Sequence, residues 1–147
     1  MKKIDSLIIH CSDSSWGCAR EINKWHLARG FSGIGYQFVI LNGQVEPGKY
    51  IEPLNGSIEC GRDLNETGAH CIGYNDHSLG ICLVLKDKPT IEQLDSLKKL
   101  TLDLCRKYDI SPDSVLGHCE TASGKEEGKT CPNFDIGPVR VWLKGRI

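Results

Sequence analysis

Short apolar runs bounded by polar and turn-forming residues stand out along the sequence. Residues 4–11 are rich in Ile and Leu, and residues 79–85 form a second, nearly continuous apolar run. Runs of this length are typical of strands that are covered on both faces, as at the centre of a parallel sheet. The pattern therefore predicts two buried strands, with residues 79–85 in a central position.

Further strands are indicated by shorter segments between turn signals. Residues 36–41 read as a strand, Asn42-Gly43 as a hairpin turn, and residues 44–46 as the return strand. Residues 47–68 carry Gly, Pro and Asn at short intervals, which favours loops and an edge strand. Residues 114–116 are expected to form a short strand that leads to a histidine.

Apolar residues at helical spacing predict three helices, over residues 19–29, 91–108 and 138–144. The middle helix has the strongest start signal, because Thr90 and Gln93 have the spacing of a capping box. Strands and helices mix along the chain without an internal repeat, a low-complexity tract or a linker. This organisation predicts one α/β domain over residues 1–147.

Composition narrows the class of protein. The chain has 147 residues, 39% hydrophobic and 25% charged, with a formal net charge of −1. Those values are ordinary for a globular domain and give no electrostatic case for binding nucleic acid or an anionic membrane. No segment approaches a transmembrane span, and the apolar stretch behind Lys2 and Lys3 is too short for a signal-peptide core. We therefore expect synthesis into the cytosol, with export by another route left open.

Eight cysteines leave two interpretations open. An even number would suggest disulfides in a secreted protein, and a disulfide-stabilised extracellular protein is one alternative. The length of the chain and the lack of an export signal favour reduced thiols instead. Cys82, inside an apolar run, and Cys105, on a predicted helix, are expected to pack as small hydrophobic residues.

Candidate metal ligands lie at the end of the first apolar run and far downstream. His10, His118 and Cys131 offer two imidazoles and a thiolate, a donor set that suits Zn²⁺ and leaves a fourth position for water. Because alternate strand residues face opposite sides, Cys11 is expected to point away from His10. Lys129 shares a face with Cys131 if the segment is extended. The alternative is that both histidines are merely packed and that Cys131 is one more thiol.

Segments matching one known family occur in order along nearly the whole chain. They are Ile9–Ser12, Arg20–Ile22 with Trp25 and His26, Gly35–Ile40, Gly61-Arg62, Gly68–His70, Gly73–Asn75, Ser78–Ile81, Gly117-His118, and Lys129–Pro132 with Phe134 and Asp135. No single segment is diagnostic, but their ordered sum is specific. The chain resembles the zinc-dependent N-acetylmuramoyl-L-alanine amidases, the family shared by phage lysozyme-type endolysins and peptidoglycan recognition proteins.

The resemblance implies a role for individual residues. His10, His118 and Cys131 match the zinc ligands of the family. Tyr36 matches its active-site tyrosine, Lys129 matches its catalytic lysine, and the match of His70 implies a substrate-binding residue near the cleft. Binding-only relatives commonly lack the cysteine ligand, so its presence here favours an enzyme.

The fold and activity implied by the resemblance are equally definite. We expect a single three-layer α/β domain, with a central mixed β-sheet flanked by helices and a zinc site at the floor of an open groove. The implied activity is hydrolysis of the amide bond between N-acetylmuramic acid and L-alanine in peptidoglycan. A non-catalytic peptidoglycan-binding or regulatory module is the alternative. No nucleic acid partner and no stable membrane insertion are expected, and protein partners are left open.

Two departures from the family pattern and one question of location remain. Gln37 follows the tyrosine where many relatives have histidine, and residues 47–59 are longer than in compact relatives. A wall-degrading enzyme made in the cytosol needs a route to the wall. Release of a phage-type or prophage-type lytic enzyme through a membrane lesion would provide one.

Overall fold

The computed structural model describes residues 2–147, so residue 1 of the predicted domain 1–147 lies outside the described residues. The strands are β1 (Ser6–Cys11), β2 (Phe38–Glu46), β3 (Lys49–Cys60), β4 (Ser78–Leu83) and β5 (Val115–Gly117). The helices are α1 (Ala19–Ala28), α2 (Ile91–Tyr108), α3 (Ala122–Glu126) and α4 (Gly137–Lys144). Single 3₁₀ turns span Pro112–Ser114 and His118–Glu120.

One mixed sheet contains the five strands in the order β3-β2-β4-β1-β5. Strand β4 runs parallel to both β1 and β2, β5 runs parallel to β1, and β3 is antiparallel to β2. All residues of β1 and β4 are buried. The prediction of two buried strands, with β4 central, is therefore confirmed.

Helices cover both faces of this sheet. On one face, Ile9 and Ile81 pack in a cluster with residues of α2 and α4, including Leu97 and Leu143. On the other face, Val39, Leu41 and Cys82 pack with Ile22 of α1. Alternate side chains of each strand thus pack into two cores, one on each face of the sheet. The predicted three-layer α/β architecture is confirmed.

The predicted hairpin turn at Asn42-Gly43 is wrong. Strand β2 continues through both residues to Glu46, and the chain turns at Pro47-Gly48 instead. Gly43 has a φ of +97° at a point where the register of β2 against β3 shifts. Its positive φ therefore serves a β-bulge rather than a turn. The edge strand expected within residues 47–68 is β3.

Other elements agree with the pattern to within a few residues. The helix predicted over residues 91–108 is α2, and Thr90 and Gln93 form both bonds of the expected capping box. Helix α3 was not predicted. Within residues 2–147, no helix combines the length and the apolar character needed to cross a membrane.

Candidate active site

His10 lies near the carboxyl end of β1 and is only 1% exposed. It pairs in register with Cys82 of β4, so its side chain lies on the α1 face of the sheet. Cys11 packs in the cluster on the opposite face. The two neighbours therefore point to opposite sides, as predicted.

His118 directly follows β5, whose Gly117 is in register with Ile9. Because β1 and β5 are parallel, both strands end at the same edge of the sheet, and the ring centroids of His10 and His118 are 4.7 Å apart. The 3₁₀ turn that begins at His118 is held by Glu120. Its carboxylate accepts a hydrogen bond from the Gly117 N–H and two from the Arg140 guanidinium, each at 2.8 Å.

Cys131 reaches the same point from the segment that follows α3. Its carbonyl accepts a hydrogen bond from the Cys119 N–H at 2.8 Å, which ties it to the residue after His118. Its Sγ accepts from the Cys11 N–H at 3.1 Å and lies 3.9 Å from His10 Nδ1. The backbone of β1 thus positions a thiol that comes from a distant part of the chain.

These three side chains form a group that could hold a metal ion. The ligand atoms of His10, His118 and Cys131 all lie within 4.8 Å of one another. Burial lowers the pKa of His10 well below its usual value and also lowers the pKa of His118, so both imidazoles are neutral near pH 7. Contact with Cys11 and burial raise the pKa of the Cys131 thiol, so a bound cation has to displace its proton. The donor set fits a borderline-soft divalent metal.

Tyr36 lies just before β2, with its ring centroid 4.9 Å from that of His10. Burial, together with the nearby thiol of Cys82, raises the pKa of Tyr36 well above its usual value. The phenol therefore keeps its proton at neutral pH and can act as a hydrogen-bond donor beside the candidate metal site.

Lys129 lines the same cleft from the segment between α3 and Cys131. Its N–H donates to the Gly124 carbonyl at 2.9 Å. Burial is the main cause of the lowered pKa of His118, and the positive charge of Lys129, which lines the same cleft, is the next largest cause. Among the described residues 2–147, the ammonium takes part in no ion pair.

His70 also borders the cleft, next to His10. Its Nδ1 lies 2.8 Å from His10 Nε2, and its Nε2 lies 3.3 Å from the hydroxyl of Ser78. Burial lowers the pKa of His70 to about 3, so the ring is neutral. Both ring nitrogens therefore have protein partners, and only the carbon edge of the ring is left to meet a ligand.

The cleft has a volume of about 560 Å³ and brings together all the candidate residues named from the sequence. Its wall also includes His26, Arg29 and Phe31, with the Arg29 guanidinium 5.2 Å above the Phe31 ring. No role for Arg29 and Phe31 was predicted, because they lie where a helix ends and carry no metal-ligand or nucleophile signature. The break in helical pattern at Gly30 was the one available signal that a loop begins there.

Ser78 also belongs to the site, through its contact with His70, and no role for it was predicted from the sequence. It is fully buried and begins β4, where its hydroxyl contacts His70. A serine at the first position of an otherwise apolar buried strand was the signal, since a buried hydroxyl requires a partner.

The mixed sheet between helical layers and the His–His–Cys group in an open cleft together define a candidate metal-dependent hydrolase. The model of the N-acetylmuramoyl-L-alanine amidase family matches residues 1–134, and the chain belongs to that family. The resemblance and the enzyme class predicted from the sequence are thereby confirmed.

Phage endolysins are among its similar relatives. The chain is 34% identical to the endolysin of Escherichia phage T7, and the match covers 97% of this chain and 88% of the relative. It is 33% identical to the endolysin of Enterobacteria phage T3, with the same coverage.

Solved structures agree with this placement. The N-acetylmuramoyl-L-alanine amidase LysC from Clostridium intestinale has a TM-score of 0.80 at 26% identity, covering 97% of this chain and 87% of that chain. Drosophila PGRP-LB has a TM-score of 0.69 at 28% identity, covering 99% of this chain and 82% of that chain. A point mutant of PGRP-LB was solved in complex with tracheal cytotoxin.

Proposed function

We propose that this amidase uses a zinc ion held by His10, His118 and Cys131 to hydrolyse the bond between N-acetylmuramic acid and L-alanine in peptidoglycan. The observation that carries the proposal is the convergence of these three donors, within 4.8 Å of one another, in an open cleft. Two neutral imidazoles and a thiol match the ligand preference of zinc, and three protein ligands are typical of catalytic rather than structural zinc sites.

Zinc, when bound, supplies Lewis-acid activation of water and of the substrate carbonyl. The chain contributes the rest of the chemistry. Tyr36 keeps its phenolic proton and donates a hydrogen bond where the amide carbonyl develops negative charge. Lys129 brings a positive charge to the same cleft and stabilises the same oxygen.

The substrate assignment draws support from the family and from the complex of PGRP-LB with tracheal cytotoxin. A cleft of about 560 Å³ is large enough for the reacting sugar and the first residues of a stem peptide. A substrate-binding role for His70 stays part of the proposal, through the carbon edge of its ring. Residues 1–147 are proposed to form one amidase domain.

We also propose that the enzyme is made in the cytoplasm and acts on the cell wall after release, as expected for a protein of phage or prophage origin. The similarity to endolysins of phages T7 and T3 supports this origin. Peptidoglycan is the partner in the proposal, which includes neither nucleic acid nor stable membrane insertion.

Two measurements on the purified protein test the proposed function. Elemental analysis is expected to give about one zinc per chain, and digestion of purified cell wall is expected to release free stem peptide. Cys131→Ser is expected to lose both zinc and activity, whereas Cys60→Ser, at an exposed cysteine at the end of β3, is expected to keep both.

A Cys131→Ser protein with full lytic activity would contradict the proposal. A wild-type protein that binds peptidoglycan and zinc but releases no stem peptide would instead identify the chain as a binding module.

A further inference from the structure

A continuous line of hydrogen bonds runs from a backbone carbonyl to His10. The Ser78 hydroxyl donates to the Tyr74 carbonyl at 2.6 Å and lies 3.3 Å from His70 Nε2. His70 Nδ1 in turn lies 2.8 Å from His10 Nε2. His10 Nδ1 is then the remaining ring nitrogen, and it faces Cys131 Sγ at 3.9 Å.

Counting hydrogens along this line fixes the tautomer of each ring. Because a carbonyl can only accept, the one hydroxyl hydrogen of Ser78 is committed to Tyr74, and Ser78 must accept from His70 Nε2–H. A neutral His70 then has a lone pair on Nδ1 and accepts from His10 Nε2–H. A neutral His10 is left with its lone pair on Nδ1. The facing ring nitrogens of His10 and His70 lie 2.8 Å apart, a distance that requires one of them to donate and the other to accept.

We propose that His70 and Ser78 are positioning residues that hold His10 as the Nε2–H tautomer and so present its Nδ1 lone pair to the metal. The inference deepens the proposed function and rests on it, because the metal in question is the zinc of the amidase site. It assigns the nitrogens of His70 and the hydroxyl of Ser78 to orienting His10, the proposed metal ligand.

The surroundings of His70 are built to hold its ring in this place. A Cβ atom at Gly80 of β4 would lie 2.7 to 2.9 Å from three atoms of the His70 ring, so the glycine leaves the space that the imidazole fills. The backbone at His70 is fixed by Asn75, whose Oδ1 accepts from the N–H groups of His70 and Cys71 at 2.8 and 2.9 Å.

The hydrogen bonds from Ser78 through His70 to His10, called the His70 relay below, matter because His10 is almost fully buried. Without an acceptor at His70, the His10 Nε2–H loses its partner, and nothing selects the tautomer or ring orientation that binds a metal. Loss of such an outer partner of a ligating histidine typically weakens metal affinity by about 10–100-fold.

Nitrogen-15 NMR of histidine-labelled, metal-free protein tests the relay directly. We expect His10 and His70 both to be observed as Nε2–H tautomers near pH 7. Observation of His10 as the Nδ1–H tautomer in the wild-type protein would overturn the proposal. This readout requires neither zinc nor activity, so it separates failure of the relay from failure of the proposed function.

Zinc affinity, measured by competition with a chromophoric chelator, tests the consequence. His70→Leu is expected to weaken zinc binding by about 10–100-fold. His70→Asn keeps an acceptor oxygen close to the position of Nδ1 and is expected to restore most of that loss. A His70→Leu protein whose affinity stays within about twofold of wild type would overturn the proposal, because loss of a hydrogen-bond partner of a metal-binding histidine weakens affinity by more than that.

His77 provides the matched control. Its ring nitrogens also both have partners, Asp5 at 2.8 Å and the Gly73 carbonyl at 3.0 Å, but the ring lies outside the cleft. His77→Leu and His77→Asn are therefore expected to leave zinc affinity unchanged, and an equal loss in His77→Leu would overturn a specific role for His70.

Ser78→Ala serves as a milder variant if His70→Leu fails to fold. It removes the acceptor for His70 Nε2–H, so the expected result is a mixture of His70 tautomers and weaker zinc binding. An unchanged single tautomer with unchanged affinity would count against the relay.

Discussion

The pKa values of the histidines are shifted in opposite directions because their surroundings differ. Burial lowers the pKa of His10 and His70, which keeps both imidazoles uncharged near pH 7. At the surface, a hydrogen bond to Asp5 raises the pKa of His77. Burial opposes ionisation of Asp5, but its hydrogen bonds with His77 and Ser6 outweigh that effect and lower its pKa.

The His77–Asp5 pair gives a pH-dependent contribution to stability. The raised pKa of His77 stabilises the fold below about pH 6.5, its unfolded value, and the effect is lost as pH rises through the folded pKa. The lowered pKa of Asp5 contributes above its unfolded value, about pH 3.9, and is lost as pH falls through the folded pKa. The pair is therefore most stabilising between roughly pH 4 and 6.5.

Asp5→Asn is expected to lower the free energy of unfolding more at pH 5 than at pH 8. Since the Asp5 carboxylate is 58% exposed, the loss at pH 5 should stay below about 1 kcal/mol. Urea unfolding at the two pH values measures the difference. Asp76→Asn, whose carboxylate lies 3.9 Å from His77, is the control and should show a smaller pH dependence. An equal loss at both pH values would refute the expectation.

Lys129→Met tests the charge beside the candidate metal site. Loss of one donor to a developing oxyanion typically lowers the rate by about 10²–10³-fold, and we expect that loss in kcat for wall digestion. Zinc content should stay at the wild-type level, because Lys129 is not among the grouped ligand atoms. Lys125→Met, on α3 and outside the cleft, should retain wild-type activity. Equal rates for the two variants would rule out the proposed role.

At the scale of elements, hydrophobic periodicity predicted the buried strands and the long helix well. β1, β4 and α2 have continuous apolar runs or apolar residues at helical spacing, and both patterns follow directly from burial. The turn between β2 and β3 was misplaced because Asn42-Gly43 and Pro47-Gly48 both carry turn chemistry. The Asn42 side chain donates to the Ser15 carbonyl, a tertiary contact that local pattern cannot reveal.

Helix α3 escaped prediction for a similar reason. Its five residues include Gly124 and too few apolar side chains to show a period. The Thr121 side chain starts it by accepting from the Gly124 N–H, and its hydroxyl also donates to the His118 carbonyl at 2.7 Å. The N-cap residue of the helix therefore also ties it to the site.

Thr90 links the start of α2 to the edge of the sheet. Its hydroxyl accepts from the Gln93 N–H at 3.0 Å and donates to Asn55 Oδ1 of β3 at 2.7 Å. Thr90→Ala is expected to lower the free energy of unfolding by about 0.5–2 kcal/mol, the usual cost of losing an N-cap. Thr90→Ser keeps the hydroxyl and should recover most of it, as judged by urea denaturation. Equal losses in both variants would exclude the hydroxyl as the cause.

At the scale of the whole molecule, the parallel arrangement of β1 and β5 explains how the site assembles. Both strands end at one edge of the sheet, which brings His10 and His118 together although they lie far apart along the chain. The alternation rule predicted that His10 and Cys11 face opposite sides of the sheet. Cys131 was named as a candidate ligand from its donor chemistry and from the family resemblance, but no pattern could place it in space, because it lies in an irregular segment without periodicity. The His70 relay depends on tertiary hydrogen bonds and was beyond any pattern in the sequence.

The order of the site residues along the chain has a consequence for the synthesis of the protein. His10 is translated early, but Cys131 follows 121 positions later. A nascent polypeptide on the ribosome therefore cannot complete the His–His–Cys group until Cys131 has been translated and has emerged. If this group holds the metal as proposed, prematurely terminated products that stop before Cys131 are expected to be inactive.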